Sequence, residues 1–180
     1  MKVEKIHHVA YRCHDAKETV EWYVKNLNMD FVLAIAEDQV PSTKEPDPYM
    51  HVFLDAGNEN VLAFFELPTK PKMGRDENTP EWVQHIAFKV KDMDTLKAFK
   101  NQLEENGVEV LGVTDHSVFH SIYFFDPNGH RLELSAPDQR EQEKLERLDK
   151  VKWDMLNEWA ETKKAPRHAD WMHSKEFEQV

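Results

Sequence analysis

Cysteine is almost missing from this chain. Cys13 stands alone in 180 residues, which excludes an internal disulfide and a cysteine-built zinc site. Basic charge is also short, with 23 Lys and Arg against 34 Asp and Glu and a formal net charge of −11. That balance argues against a nucleic-acid partner and an anionic membrane surface, both of which need a net basic face. Nor is there a long apolar run. The most hydrophobic stretch, VLAFFEL, is far below the ~20 residues a bilayer span requires. The opening MKVEKIHHVAYR has no apolar core of a signal peptide. Together these absences lead to the expectation of a reduced, cytoplasmic protein acting on a small molecule.

What is present is an ordinary globular composition, 40% hydrophobic and 32% charged, in a chain long enough for one domain or two small modules sharing a core. The chain repeats itself. Residues 8–15 read HVAYRCHD and residues 85–92 read HIAFKVKD, with histidine, a β-branched residue, alanine, an aromatic, a basic residue and a closing aspartate in the same places. Each copy runs into helical spacing, with Ala16, Val20, Tyr23 and Leu27 in the first and Met93, Leu96, Phe99 and Leu103 in the second. Asp15 with Glu18 suits a helix start, and Asn28 and Asn106-Gly107 suit helix stops. Three strand-like segments follow each helix: DFVLAIAE, YMHVFLDA and NVLAFFEL, then VEVLGVTD, SIYFFD and HRLELSA.

The pattern predicts an α+β fold of paired βαβββ modules, module 1 over 1–70 and module 2 over 81–137, whose mixed sheets curve into a cup. A proline-rich polar linker, LPTKPKMGRDENTP, joins them. Residues 37–49 lengthen module 1 and read as an inserted loop near the site. Residues 138–180 form a C-terminal extension, with Leu145, Leu148, Met155, Leu156 and Trp159 along one side of a long helix. That helix is expected to pack on its own domain or on a second subunit, ahead of an extended end with Trp171 as an anchor.

Each module opens on a strand with a histidine and closes on a strand with a glutamate. His8, Glu66, His85 and Glu133 are therefore the candidate metal ligands, since imidazole with carboxylate suits Fe(II), Ni(II), Mn(II), Co(II) or Zn(II). Among the other histidines, His7 is expected to point away from His8 by strand alternation. His120 reads as a packing residue and His130 as a turn residue.

The chain resembles the vicinal-oxygen-chelate superfamily of glyoxalases, extradiol dioxygenases, epimerases and fosfomycin-resistance proteins. The likeness covers residues 3–137 and is carried by HVAYRCHD, HIAFKVKD and YFFDPNGHRLEL. It implies a cup around a divalent metal and a homodimer. Residues 114–133, TDHSVFHSIYFFDPNGHRLE, are similar to the family's extradiol signature. By that resemblance His8, His85 and Glu133 hold Fe(II), His116 is the acid/base, and Tyr123 hydrogen-bonds a catechol-like substrate. The glyoxalase I resemblance implies instead a lyase or isomerase in which Glu66 both ligates and abstracts a proton, and Arg12 contacts the substrate. Lys70 departs from that pattern, standing where an asparagine is expected. Drug-sequestering relatives imply a third outcome, a non-catalytic binding protein, and these lack the metal set. The expectation is the ring-cleaving dioxygenase.

Overall fold

A computed structural model describes residues 2–173. Two four-stranded mixed sheets form, one per module. Module 1 runs β1 (Val9–Cys13), α1 (Ala16–Leu27), β2 (Asp30–Gln39), β3 (Pro46–Asp55) and β4 (Val61–Glu66). Module 2 repeats it as β5 (Ile86–Lys89), α2 (Met93–Glu105), β6 (Leu111–Asp115), β7 (Phe119–Phe125) and β8 (Arg131–Pro137). The sheet orders, β1-β4-β3-β2 and β5-β8-β7-β6, are the same once the modules are superposed in sequence. In each, the first strand lies parallel to the last, because the helix carries the chain across the sheet between them.

The helices start as their sequences require. Asp15 accepts from the Glu18 amide at 2.8 Å and Asp92 from the Thr95 amide at 2.9 Å, satisfying amides that have no partner within the helix. Asn28 closes α1 in the left-handed conformation, φ 54°. Both helices then cover one face of their sheets. Leu62, Phe64 and Cys13 bury that face in module 1, Leu132, Leu134, Ile122 and Phe124 in module 2, and Tyr23, Leu27, Leu96 and Leu103 close over them. Residues of opposite parity are left for the other, open face of each sheet.

The modules meet through polar contacts at the turn 126–130. Tyr23 donates to Asp126 at 3.1 Å, Asn128 accepts from the His14 amide at 2.8 Å, and a ring nitrogen of His130 donates to the Arg12 carbonyl at 2.7 Å. His130 is thus a bridge between modules as well as a turn residue.

Three expectations change. The segment 37–49 is an extension of the β2–β3 hairpin, paired as far as Gln39 with Pro46, because two antiparallel strands can lengthen together without unpaired backbone. His7 and His8 lie before β1, so alternation does not separate them, and their Nδ1 atoms approach to 2.8 Å. In the extension, α3 (Glu141–Thr162) forms as expected, yet Leu145, Trp153, Leu156 and Trp159 stay exposed. Beyond it, the Arg147 guanidinium lies 3.9 Å over the Trp171 ring, and residues 170–173 make a short 3-10 turn. Of the extended end expected over 165–180, residues 174–180 lie outside the described residues.

Candidate metal centre

On the open face of module 2, His85 and Glu133 come together. His85 Nε2 and Glu133 Oε2 are 2.8 Å apart, and Glu133 is 3% exposed. The pairing follows from register. Ala87 lies beside Glu133, so the strand direction brings His85, two residues earlier and on the same face, up to the carboxylate. The other Glu133 oxygen accepts from the Ser135 hydroxyl at 2.6 Å and from the Ser121 hydroxyl. A buried carboxylate is costly without such donors, and they fix its direction. His85 is oriented from behind: its Nδ1 lies 3.1 Å from the Val83 carbonyl, which can only accept, so the proton sits on Nδ1. Nε2 then faces the carboxylate, two electron-pair donors directed at one point. That arrangement calls for a cation between them, a proton or a metal, and imidazole with carboxylate fits a first-row divalent metal.

Beside this pair stand His116 and Tyr123. Tyr123 is paired with Glu133 across β7 and β8, and its ring meets His85 edge-on at 5.9 Å. His116 Nε2 and the Tyr123 hydroxyl are 2.7 Å apart. The Arg131 guanidinium lies 4.5 Å from the Tyr123 ring centre. Burial, and then the Glu133 carboxylate, push the Tyr123 phenol above its ordinary value, so it stands as a neutral hydroxyl. His116 sits at the tip of the β6–β7 hairpin. The bulge that shapes this hairpin needs glycine: Gly112 has φ +111°, and a Cβ there would lie 2.7 Å from the Ser121 carbonyl oxygen. A cavity of about 780 Å³ adjoins His85, with Tyr11, Arg75, Val83 and Arg131 in its walls.

The remaining candidates are elsewhere. Glu66 lies opposite Cys13, whereas Val9, next to His8, lies opposite Leu62. Glu66 is therefore ~13 Å farther along the sheet at about 3.3 Å per residue. It also shares the helix-covered face with Leu62 and Phe64, where its carboxylate accepts from the Ala16 amide at 2.7 Å. The module 1 position that matches Glu133 is Ala63, opposite Ala10 as Glu133 is opposite Ala87. Arg12 donates to the Pro71 carbonyl at 2.6 Å and so anchors the linker. His8 is exposed, with its ring 6.3 Å from Phe53 on the open face of module 1. Among the described residues, no three His, Cys, Asp or Glu side chains are placed to share one metal. The structure thus unites His85, Glu133, Tyr123 and His116, and leaves His8, Glu66 and Arg12 apart from them.

Sequence reading missed Ser121, Ser135 and Arg131. Their signal was alternation, since each has the parity of Tyr123 or Glu133 in a strand whose other parity is apolar. Cys13 brings no thiol chemistry to the face: burial pushes its pKa up to about 11, which keeps it protonated.

Comparison with known proteins agrees with this architecture. A relative from Bacillus subtilis (strain 168), the putative ring-cleaving dioxygenase MhqA, is 28% identical over 77% of this chain, which spans 42% of that relative's length. The metallothiol transferase FosB of Shouchella clausii is 32% identical over 60% of this chain and 80% of its own. A glyoxylase/bleomycin resistance protein/dioxygenase domain from Frankia shares the fold with a TM-score of 0.61 at 18% identity, over 76% of this chain and 100% of that one. The model of the Glyoxalase/Bleomycin resistance protein/Dioxygenase superfamily matches residues 5–134, and the chain belongs to that superfamily.

Proposed function

We propose that this chain is a ring-cleaving dioxygenase for a catechol-like substrate. The observation that carries the reading is the His116–Tyr123 hydrogen bond of 2.7 Å on the same face as the His85–Glu133 pair. Ring cleavage needs a metal site with open positions and a proton-handling group beside it. His85 and Glu133 would hold Fe(II), which supplies the redox partner that dioxygen needs. His116 takes a proton from a substrate hydroxyl and returns it later. Tyr123, kept neutral, hydrogen-bonds a substrate oxygen and orients the ring. Ni(II), Co(II), Mn(II) or Zn(II) would fit the same two donors but supply Lewis acidity alone.

Lyase or isomerase chemistry is the weaker reading because its base is elsewhere. Glu66 faces the helices, where its carboxylate is engaged as the acceptor for the Ala16 amide. A non-catalytic binding role leaves the Ser121–Glu133–Ser135 bracing of a buried carboxylate without a purpose.

Two donors do not complete a site. We assign the third to His8 of a second copy, in a homodimer that sets module 1 of one chain over module 2 of the other. Two features support this. His8 is exposed on an open face, and Leu33 and Ile35 on β2, paired with Phe53 and His51 of that face, are exposed as well. Rings already line that face: His51 stacks on Phe65 with centres 3.5 Å apart, next to Phe53. An aromatic wall opposite a metal suits a planar ring substrate.

The test is oxygen uptake by anaerobically purified, Fe(II)-loaded protein against a panel of catechols. The expected result is substrate-dependent uptake with a yellow ring-opened product, lost in H116A. Iron-replete protein that consumes no oxygen with any catechol contradicts the reading.

A further inference from the structure

We infer that the C-terminal extension holds His116 in place, with Lys144 as the positioning residue; the inference rests on the acid/base reading of His116. His116 is exposed at a hairpin tip, its ring meeting those of Phe119 and Tyr123, so its direction depends heavily on the turn that carries it. That turn is tightly specified. The His116 amide donates to the Phe119 carbonyl at 2.9 Å, and Asp115 accepts from the Ser117 amide at 2.6 Å. Ser117 itself is held at φ 66°, in the left-handed region that a residue with a Cβ rarely adopts.

The extension grips this turn from outside, at Ser117 and Val118. The Asp138 amide donates to the Val118 carbonyl at 3.1 Å. From the first turn of α3, the Lys144 ammonium donates to the Ser117 carbonyl and to Asp138 Oδ1, the latter at 2.6 Å. Lys144 is 2% exposed and is the buried residue of α3; Leu148, Val151 and Met155 are half-buried, while Leu145, Trp153, Leu156 and Trp159 lie open to solvent. The side chain that α3 buries most deeply is thus a lysine. Burying a charge is costly unless its partners are well placed. Among those partners are the hairpin tip and the start of the extension. The consequence is that the Ser117 peptide is fixed from both sides, and the His116 ring is held within reach of Tyr123. The clamp falls on Ser117, Val118 and Asp138, in the hairpin that carries His116 and at the start of the extension, so it acts on the proton-handling pair.

The experiment compares the full wild-type chain with K144M/D138N, which removes both charges and so leaves neither one buried alone. Ring nitrogens are observed by NMR, with His116 assigned from its missing signals in H116Q. The wild type is expected to show His116 as one tautomer with ring contacts to Tyr123. In the double variant, mixed tautomers and loss of those contacts are expected, with cooperative melting and bound metal retained. Turnover should fall about a hundredfold, the scale set by misplacing a reacting group by an ångström or so, with KM little changed. A double variant that keeps the single tautomer and the Tyr123 contacts overturns the inference, whatever reaction the protein performs. Loss of that signature with turnover unchanged upholds Lys144 as the clamp and removes His116 from the chemistry. Loss of turnover in H116A with the signature intact in K144M/D138N does the reverse.

Discussion

At matching register positions, module 1 carries His51, Phe53, Ala63 and Phe65 where module 2 carries Ser121, Tyr123, Glu133 and Ser135. The sheet order, the aspartate N-caps and the apolar faces under the helices are the same in both. The open faces have separated. In module 2 a buried carboxylate is braced by two hydroxyls and directed at a histidine. In module 1 the corresponding volume is filled by stacked rings around a small alanine, and His8 has no carboxylate beside it. The repeat preserves what packs the core, while the open face diverges at alternate residues. One module directs an imidazole and a buried carboxylate at one point, and the other presents an aromatic surface.

The largest expected effects break the polar half of this comparison. E133A and H85A should each lose essentially all bound metal and all activity, measured by metal analysis of the purified variants alongside turnover. Next is the bracing. S121A/S135A leaves the ligands in place but frees the carboxylate, and metal affinity should fall ~10- to 100-fold by competition against a chelator.

A smaller effect comes from module 1. Burial, and then the nearby His8, hold the His51 imidazole below its ordinary 6.5. The unfolded chain therefore binds the His51 proton more readily than the folded one below pH 6.5. Stability from this group is complete above that pH and is lost as pH falls towards the folded value. H51F, which keeps an aromatic against Phe65, should melt with a shallower dependence on pH below 6.5 than the wild type. The smallest effect belongs to Glu66. E66Q should retain full metal content and activity, and weakening the contact to the Ala16 amide should lower stability by about 1 kcal/mol or less.

Much of this was readable from residues alone. The doubled HVAYRCHD and HIAFKVKD segments set the two modules, and the spacing of apolar residues set the helices between Asp15 and Asn28 and between Asp92 and Asn106. His85, Glu133, His116 and Tyr123 were also legible, because all four lie in one module and within one hairpin or its neighbouring strand. Glu66 misled because FFEL and LELS each end a module with a glutamate. Their parities differ: Glu66 is in step with the buried Leu62 and Phe64, while Glu133 is out of step with Leu132 and Leu134. Alternation held that answer, and the apparent symmetry of the repeat obscured it. Lys144 could not be found this way, since a lysine on a charged helix reads as a solvated side chain until the Ser117 carbonyl and Asp138 are seen beneath it.

The proposed dimer divides the labour between modules of different chains, with His8 of one completing the His85–Glu133 pair of the other. Subunit complementation tests this. H8A and E133A, each defective alone, are unfolded together, refolded as a mixture and assayed for bound metal and oxygen uptake. Random pairing gives a mixed dimer with one intact site, so about a quarter of wild-type activity should return. A mixture that stays as inactive and metal-free as its two components contradicts the claim and places the whole site within one chain.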